Sequence, residues 1–367
     1  MIRRVYIDNY RRMVNFDLPL SEFALLLGTN GAGKSSVLDV VFALRDFLGG
    51  TAKVLDVFPP SSRTRWQDRN IQVFELDVAL DSEPFEYRLE VEHDLASRKA
   101  RVKTERLTSE GKPLFGFSEG EVHLFRDNHS AGPIFPASWA ESALARVFPG
   151  KDNLRLTRFL EFMRKVLVCG FYPRAFTAES SSEDSVLQRA PSNFASWYRH
   201  VIQEHQDSAP AYLETMREVI EGFQNIRLER VGSEARAFML VFGEGKSRYE
   251  LRLDEVSDGQ RALLALNALT QMTASEGYTL LIDEPDNYLA LAEIQPWLIG
   301  LVDACGSEVR QAVLCSHHPE VVDYVGADRG ILLEQEVSGV IKVRSLAEAV
   351  PEGGAKLSEV IARGWER

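Results

Sequence analysis

Several things are scarce in this sequence. There are only three cysteines in 367 residues (Cys169, Cys305 and Cys315), and no CxxC pair. A disulfide framework is therefore not expected; the three read as reduced core residues of a cytoplasmic protein. Long apolar runs are missing. The longest, "FALLLG" and "YTLLID", are far too short to span a bilayer, so no membrane partner is expected. No charged stretch followed by an apolar one opens the chain, so no secretory signal is expected. Basic residues are outnumbered, 42 against 54 acidic, for a net charge of −12. That argues against coating nucleic acid by general basicity, while leaving room for a local basic strip. Arg3, Arg4, Arg11 and Arg12 cluster near the start and read as a solvated face. No internal repeat, low-complexity tract or heptad array is visible.

What is present is ordinary in bulk and particular in detail. Apolar residues make up 45% and charged ones 26%, with length enough for one large or two moderate domains. "RRVYIDNY" and "FALLLG" read as strands, and "GKSSVLDVVFALRDFL" as a helix. Four alternating runs follow, from "IQVFELDVAL" to "EVHLFRD", and predict an antiparallel sheet with one wet face. From residue 153 to 223 the spacing turns helical, as in "LTRFLEFMRKVL", "FASWYRHVIQEH" and "YLETMREVIEGF". After Ser257, helices and strands alternate, which predicts a parallel sheet flanked by helices. The expected class is α/β: residues 1–150 an N-terminal lobe with the antiparallel segment, 151–225 an inserted helical lobe, and 226–367 a C-terminal lobe. The two ends are expected to build one nucleotide-binding domain.

"GTNGAGKSS" matches G-x-x-x-x-G-K-[ST]. It stands between a predicted strand and a predicted helix, the context the P-loop pattern requires. Glycines let backbone N–H groups converge on phosphate, and the helix N-terminus favours the same anion. Gly28, Thr29, Asn30, Gly31, Ala32, Gly33, Lys34, Ser35 and Ser36 are expected to hold the nucleotide. Lys34 would reach the β- and γ-phosphates, and Ser35 would take a place on Mg²⁺. "GEGKS" at Gly243 looks like half of a second loop, but position 240 is Leu240, and a hairpin turn is the better reading. "YTLLIDEP" is an apolar strand ending in Asp283 and Glu284. Asp283 is expected to hold Mg²⁺ through water, and Glu284 to deprotonate an attacking water. His317 and His318 are adjacent on a strand end, with no Cys or acid cluster around them, so they do not read as a metal pair. His200 and His205 read as surface or packing residues.

"EVSDGQRALLAL" resembles the LSGGQ signature of ATP-binding-cassette ATPases in Ser257, Gly259 and Gln260, and Asp258 lies among them. It stands 26 residues before Asp283 (283 − 257), in the order that family keeps. The resemblance implies a P-loop NTPase with an ABC-type ATPase head, in which this helix end meets the γ-phosphate bound by a second chain. An ATP-dependent homodimer is therefore expected, with ATP and Mg²⁺ between chains. Read on its own, Ser257 would be simply a helix N-cap. The resemblance also makes His317 of "LCSHHPE" the switch histidine and Asp286 and Asn287 a dimer-contacting D-loop. It calls for a glutamine at the metal and the water, Gln72 or, second, Gln67. Arg11 and Arg12 of "IDNYRRM" resemble the opening of RecF- and SMC-like ATPases, where a basic residue approaches the nucleotide, here Arg12.

From Ser35 to Ser257 is 222 residues (257 − 35), far longer than in transporter cassettes. No coiled coil fills the interval. The chain is most similar to compact bacterial ATPases of the RecF/SMC/OLD-like group, with Val256 where the signature usually has Leu. OLD-type nucleases add a Toprim domain, and the 50 residues after His317 (367 − 317) are expected to be too few for one. The expected role is a cytoplasmic ATPase whose dimer cycle controls a separate effector, such as a nuclease, in bacterial defence against phage or foreign DNA. The alternatives are a RecF-like DNA-repair ATPase, which would bind nucleic acid, and a transporter nucleotide-binding subunit.

Overall fold

The computed structural model describes residues 1–346. They form two compact units: Met1–Val166 with the described residues from Asp328 onward, and Leu167–Ala327. The three stretches expected from sequence follow changes of sequence character; the units follow packing.

In the first unit, eight strands form an antiparallel sheet. The order is Phe16–Pro19, Ile2–Asp8, Ile71–Leu80, Glu83–Asp94, Lys99–Ser109, Lys112–Ser118, Glu121–Phe125, Ala131–Pro136. Along Ile71–Leu80 every second residue is buried, and Glu83–Asp94 alternates in the same way. This is the signature of a sheet with one packed face. Two-residue turns such as Asp81–Ser82 and Glu110–Gly111 have positive φ at both positions, matching the twist of the strands they join. The packed face stacks Phe85 and Tyr87 against Phe159 of the helix Leu154–Arg164, with ring centroids 6.0 and 5.8 Å apart. In the same unit, Phe23–Leu27 pairs in parallel with Gly330–Gln335, which pairs antiparallel with Ile341–Ser345. The sheet is therefore mixed. The helix Lys34–Leu48 follows the first of these strands and buries Val37, Leu38, Val41, Leu44 and Phe47.

In the second unit, Thr279–Asp283 and Gln311–Cys315 lie in parallel with Asp283 opposite Cys315. Val166–Gly170 flanks the first of them. All three strands are buried along their whole length, which explains their continuous apolar runs. Asp258–Asn267, Leu291–Ala304 and Pro319–Arg329 are helices. A smaller antiparallel sheet centres on Ala235–Phe242, paired with Phe223–Val231, Tyr249–Arg252 and Glu179–Ser180. Its core sets Phe238 against Phe194, tilted, and against Tyr198, edge to face, on the helix Phe194–Glu204.

Two local readings change. "LTRFLEFMRKVL" was expected to be helical throughout, yet the helix ends at Arg164 and Val166 begins a strand. Burial on all sides decides this: "VLVCG" has no polar face for a helix to show to water. "GQRALLALNALTQMT" is an α-helix to Asn267 and then a π-helical turn over Ala268–Met272. "GEGKS" is the hairpin connection expected, with Gly243 at φ +69° where a Cβ would meet Ser247 O at 2.5 Å. Among the described residues, no helix is long and apolar enough to cross a membrane, and no disulfide forms.

Candidate nucleotide site

The expected site residues fall in both units, the glycine loop in the first and the acids, signature and histidine in the second. The buried strand Phe23–Leu27 delivers the chain to Gly28, at φ +138°. A Cβ there would lie 2.3 Å from Leu333 O, so no other residue fits without moving backbone. Gly33, at φ +95°, caps the helix Lys34–Leu48, and a Cβ there would come 2.5 Å from Ile341 Cδ1. No side chain caps this helix, and its first turn holds no acid. Its leading N–H groups are thus left to an external acceptor, with the positive end of the dipole behind them. Lys34 is buried and its Nζ donates to Gly28 O (2.8 Å) and Thr29 O (3.3 Å), which lays the ammonium along the loop. Thr29, Asn30, Gly31 and Ser35 are exposed and Ala32 is buried. Ser36 Oγ accepts from Arg11 Nη1 at 2.8 Å, and the same arginine pairs with Asp39. Arg12 is exposed and donates to Gln335 Oε1 at 2.5 Å.

Gln72 lies on the strand Ile71–Leu80. It is a polar member of the packed face of the eight-stranded sheet, wholly buried. Its Nε2 donates to Asn9 O (2.9 Å), and its Oε1 is 2.8 Å from His93 Nε2, diagonally across the ladder. Burial, with Arg63 nearby, pushes the His93 pKa down to about 4, so the ring is neutral and Nε2–H is the donor. Gln67 Oε1 accepts from Arg69.

In the second unit, Asp283 ends its strand 8% exposed. Its Oδ2 accepts from Arg189 Nη2 at 3.1 Å; its buried Oδ1 has no hydrogen-bond partner among the described residues. Such an orphaned carboxylate oxygen is costly unless a ligand claims it. Glu284 follows at φ +51°, with its N–H donating to Cys315 O at 2.8 Å. Its carboxylate accepts from Asn287 Nδ2 at 2.5 Å and lies 3.6 Å from His317 Nε2. Glu284, Asn287 and His317 are therefore brought together. Asp286 points inward and is buried; burial raises its carboxyl above the usual range, against a hydrogen bond from Ser316. Ser257 caps the helix Asp258–Asn267: its Oγ accepts from Gln260 N, and Gln260 Oε1 accepts from Ser257 N. Gly259 lies so close to Tyr288 that a Cβ would come 2.9 Å from Tyr288 O. Asp258 accepts from Arg174 Nε at 3.0 Å.

Two arginines carry weight that the sequence did not announce. Arg261, nearly buried, ties the signature helix to Leu253 O, Asp254 O and Pro173 O. Arg189, in the polar stretch before the helix Phe194–Glu204, reaches Asp283. An arginine in an irregular segment has no periodicity to betray it.

The fold and the uncapped glycine-loop helix define a P-loop ATPase of α/β class. The family comparison is more specific. The chain belongs to the AAA_21 family, described as "AAA domain, putative AbiEii toxin, Type IV TA system", which matches residues 23–323. Among solved structures it is similar to the Smc head domain with an extended coiled coil, bound to the C-terminal domain of ScpA, from Pyrococcus furiosus. Identity there is 12%, coverage 95% of this chain and 97% of that one, and the TM-score 0.55. The SMC head domain from Thermotoga maritima aligns at 13% identity over 94% and 98% of the two chains, with a TM-score of 0.49. No curated protein sequence matches.

Proposed function

We propose that this chain binds and hydrolyses Mg-ATP at an interface between two copies of itself, and that the dimer cycle controls a separate partner, an effector in bacterial defence. The observation that carries the reading is the glycine loop: strained glycines, an uncapped helix N-terminus and a lysine laid along the loop. Loop N–H groups would bind the β-phosphate. Lys34 Nζ would exchange the carbonyls of Gly28 and Thr29 for β- and γ-phosphate oxygens. Ser35 and Asp283 are the residues that would hold magnesium, and the orphaned Oδ1 of Asp283 suits that part. A magnesium ion held by these residues would supply positive charge to neutralise what develops on the β- and γ-phosphates. Gln72 stays with Asn9 and His93 in this reading, and Gln67 with Arg69; neither is given the metal.

Glu284 would take a proton from the attacking water. The water oxygen bonds to the γ-phosphorus as the bond to the bridging oxygen breaks and ADP leaves. Asn287 and His317 fix the base, and His317 would face the γ-phosphate. Ser257 and Gly259 would meet the γ-phosphate held by the other chain, and Arg12 would approach the nucleotide. The control of a partner is supported by the family's description as a toxin of a toxin–antitoxin system and by the partner domain bound to the Pyrococcus furiosus head.

Removing a positioned base typically costs about 10²–10⁴-fold in rate. Glu284→Gln should therefore bind ATP, hydrolyse it that much more slowly, and accumulate as a dimer. Light scattering with and without Mg-ATP checks this. A variant that stays monomeric with ATP bound rules out the dimer, and near wild-type turnover moves the base elsewhere.

A further inference from the structure

We propose that Arg189 is a positioning residue for the metal site: its guanidinium holds one oxygen of Asp283 so that the other is presented to the cation. The proposal rests on Asp283 being the metal-holding acid of the reading above. Two facts about one carboxylate carry it. Oδ2 accepts from Arg189 Nη2 at 3.1 Å, while Oδ1 is buried with no hydrogen-bond partner among the described residues. An arginine bound to one oxygen fixes the rotation of the carboxylate, and so fixes where the second lone-pair set points.

The arginine is itself built into place. Its carbonyl accepts from Gly170 N at 2.8 Å, which pins its backbone to the end of the strand flanking Thr279–Asp283. Gly170 leaves room for the side chain: a Cβ there would stand 3.1 Å from Arg189 Nη1 and 3.6 Å from Asp283 Cβ. Next along the chain, Asn193 braces the segment. Its Oδ1 accepts from Gln188 N, and its Nδ2 donates to Asp184 and to Val186 O. A surface ion pair needs none of this. A side chain 22% exposed, threaded past a glycine onto one oxygen of a buried acid, is an orienting device.

The test uses the full chain, ADP and Mn²⁺, with free Mn²⁺ read by electron paramagnetic resonance. Loss of an outer-shell partner typically costs about 10–100-fold in metal affinity. Arg189→Met should weaken Mn²⁺ binding in the presence of ADP by about tenfold or more, and Arg189→Lys should recover part of it. ADP affinity without metal should be unchanged in both, because the glycine loop is intact. Wild-type Mn²⁺ affinity in Arg189→Met overturns the proposal. So does tighter binding, which would make the guanidinium a competitor of the cation, and so does a parallel loss of metal-free ADP affinity, which would make Arg189 merely structural. If Arg189→Met does not fold, Arg189→Lys decides alone, and wild-type affinity there overturns the role of the guanidinium fork. Asp283→Asn separates the two readings. If it binds Mn²⁺ like wild type, the metal assignment itself fails. If it does not bind while Arg189→Met does, only Arg189 has been misread.

Discussion

Glu284 holds a left-handed backbone conformation that costs a non-glycine residue about 1 kcal/mol or more. Its N–H donation to Cys315 O fixes that conformation, and the turn it starts sends neighbouring side chains in different directions. Asn287 comes back to the Glu284 carboxylate, while Asp286 goes into the protein. The sequence grouped the two as one motif; their different surroundings are visible only in the fold. Burial raises the Asp286 carboxyl above its usual range. The sign follows directly. The fold binds this proton more tightly than the unfolded chain does, so the group favours the fold at low pH. That contribution is lost as pH rises from the ordinary carboxylate range through the raised value. At neutral pH the charge is a burden, with Oδ1 unpartnered. Asp286→Asn should therefore melt higher than wild type at pH 7, with the gap closing toward pH 3.8, the unshifted value. Melting curves at the two ends decide it; an equal or lower midpoint at pH 7 removes the argument.

Elements were legible where one force ruled them. Period-two burial gave the strands Ile71–Leu80 and Glu83–Asp94, and the glycine pattern gave the helix start at Lys34. Val166–Gly170 was hidden because an apolar run after an amphipathic helix reads as more helix until its neighbours are known. The burial of Gln72 was hidden for the converse reason: a polar residue in an alternating strand reads as exposed unless its partner, His93, is seen on the same face. At the signature helix, two readings of one residue turn out to be compatible. Ser257 is an N-cap in a reciprocal box with Gln260, and that cap holds the helix end that would face a second nucleotide. The cap itself can be weighed. Replacing a capping serine by alanine costs about 1 kcal/mol and by glycine only a few tenths. Urea unfolding should rank Ser257→Ala below Ser257→Gly, with wild type highest. Alanine as stable as wild type would mean the box contributes nothing.

At the scale of the molecule, the question is whether one chain is a whole machine. The proposed chemistry uses Lys34 from one copy and Ser257 from the other, which makes a specific demand of mixtures. Lys34→Ala should bind no ATP and Ser257→Arg should bind it without hydrolysis, so each alone is silent. Mixed together, they form some dimers with one variant of each kind. In those, the intact glycine loop of Ser257→Arg faces the intact signature of Lys34→Ala, and one site of two is whole. The other site carries both lesions. Only the mixed pair holds an intact glycine loop facing an intact signature, so the mixture should regain part of the wild-type rate, about a quarter where pairing is random. Phosphate release measured across mixing ratios tests this, because the recovered rate should peak at equal amounts and vanish at either end. A mixture as silent as its components would place Ser257 and Lys34 at sites that do not meet across chains. Full activity in Ser257→Arg by itself would leave the serine as a helix cap and nothing more.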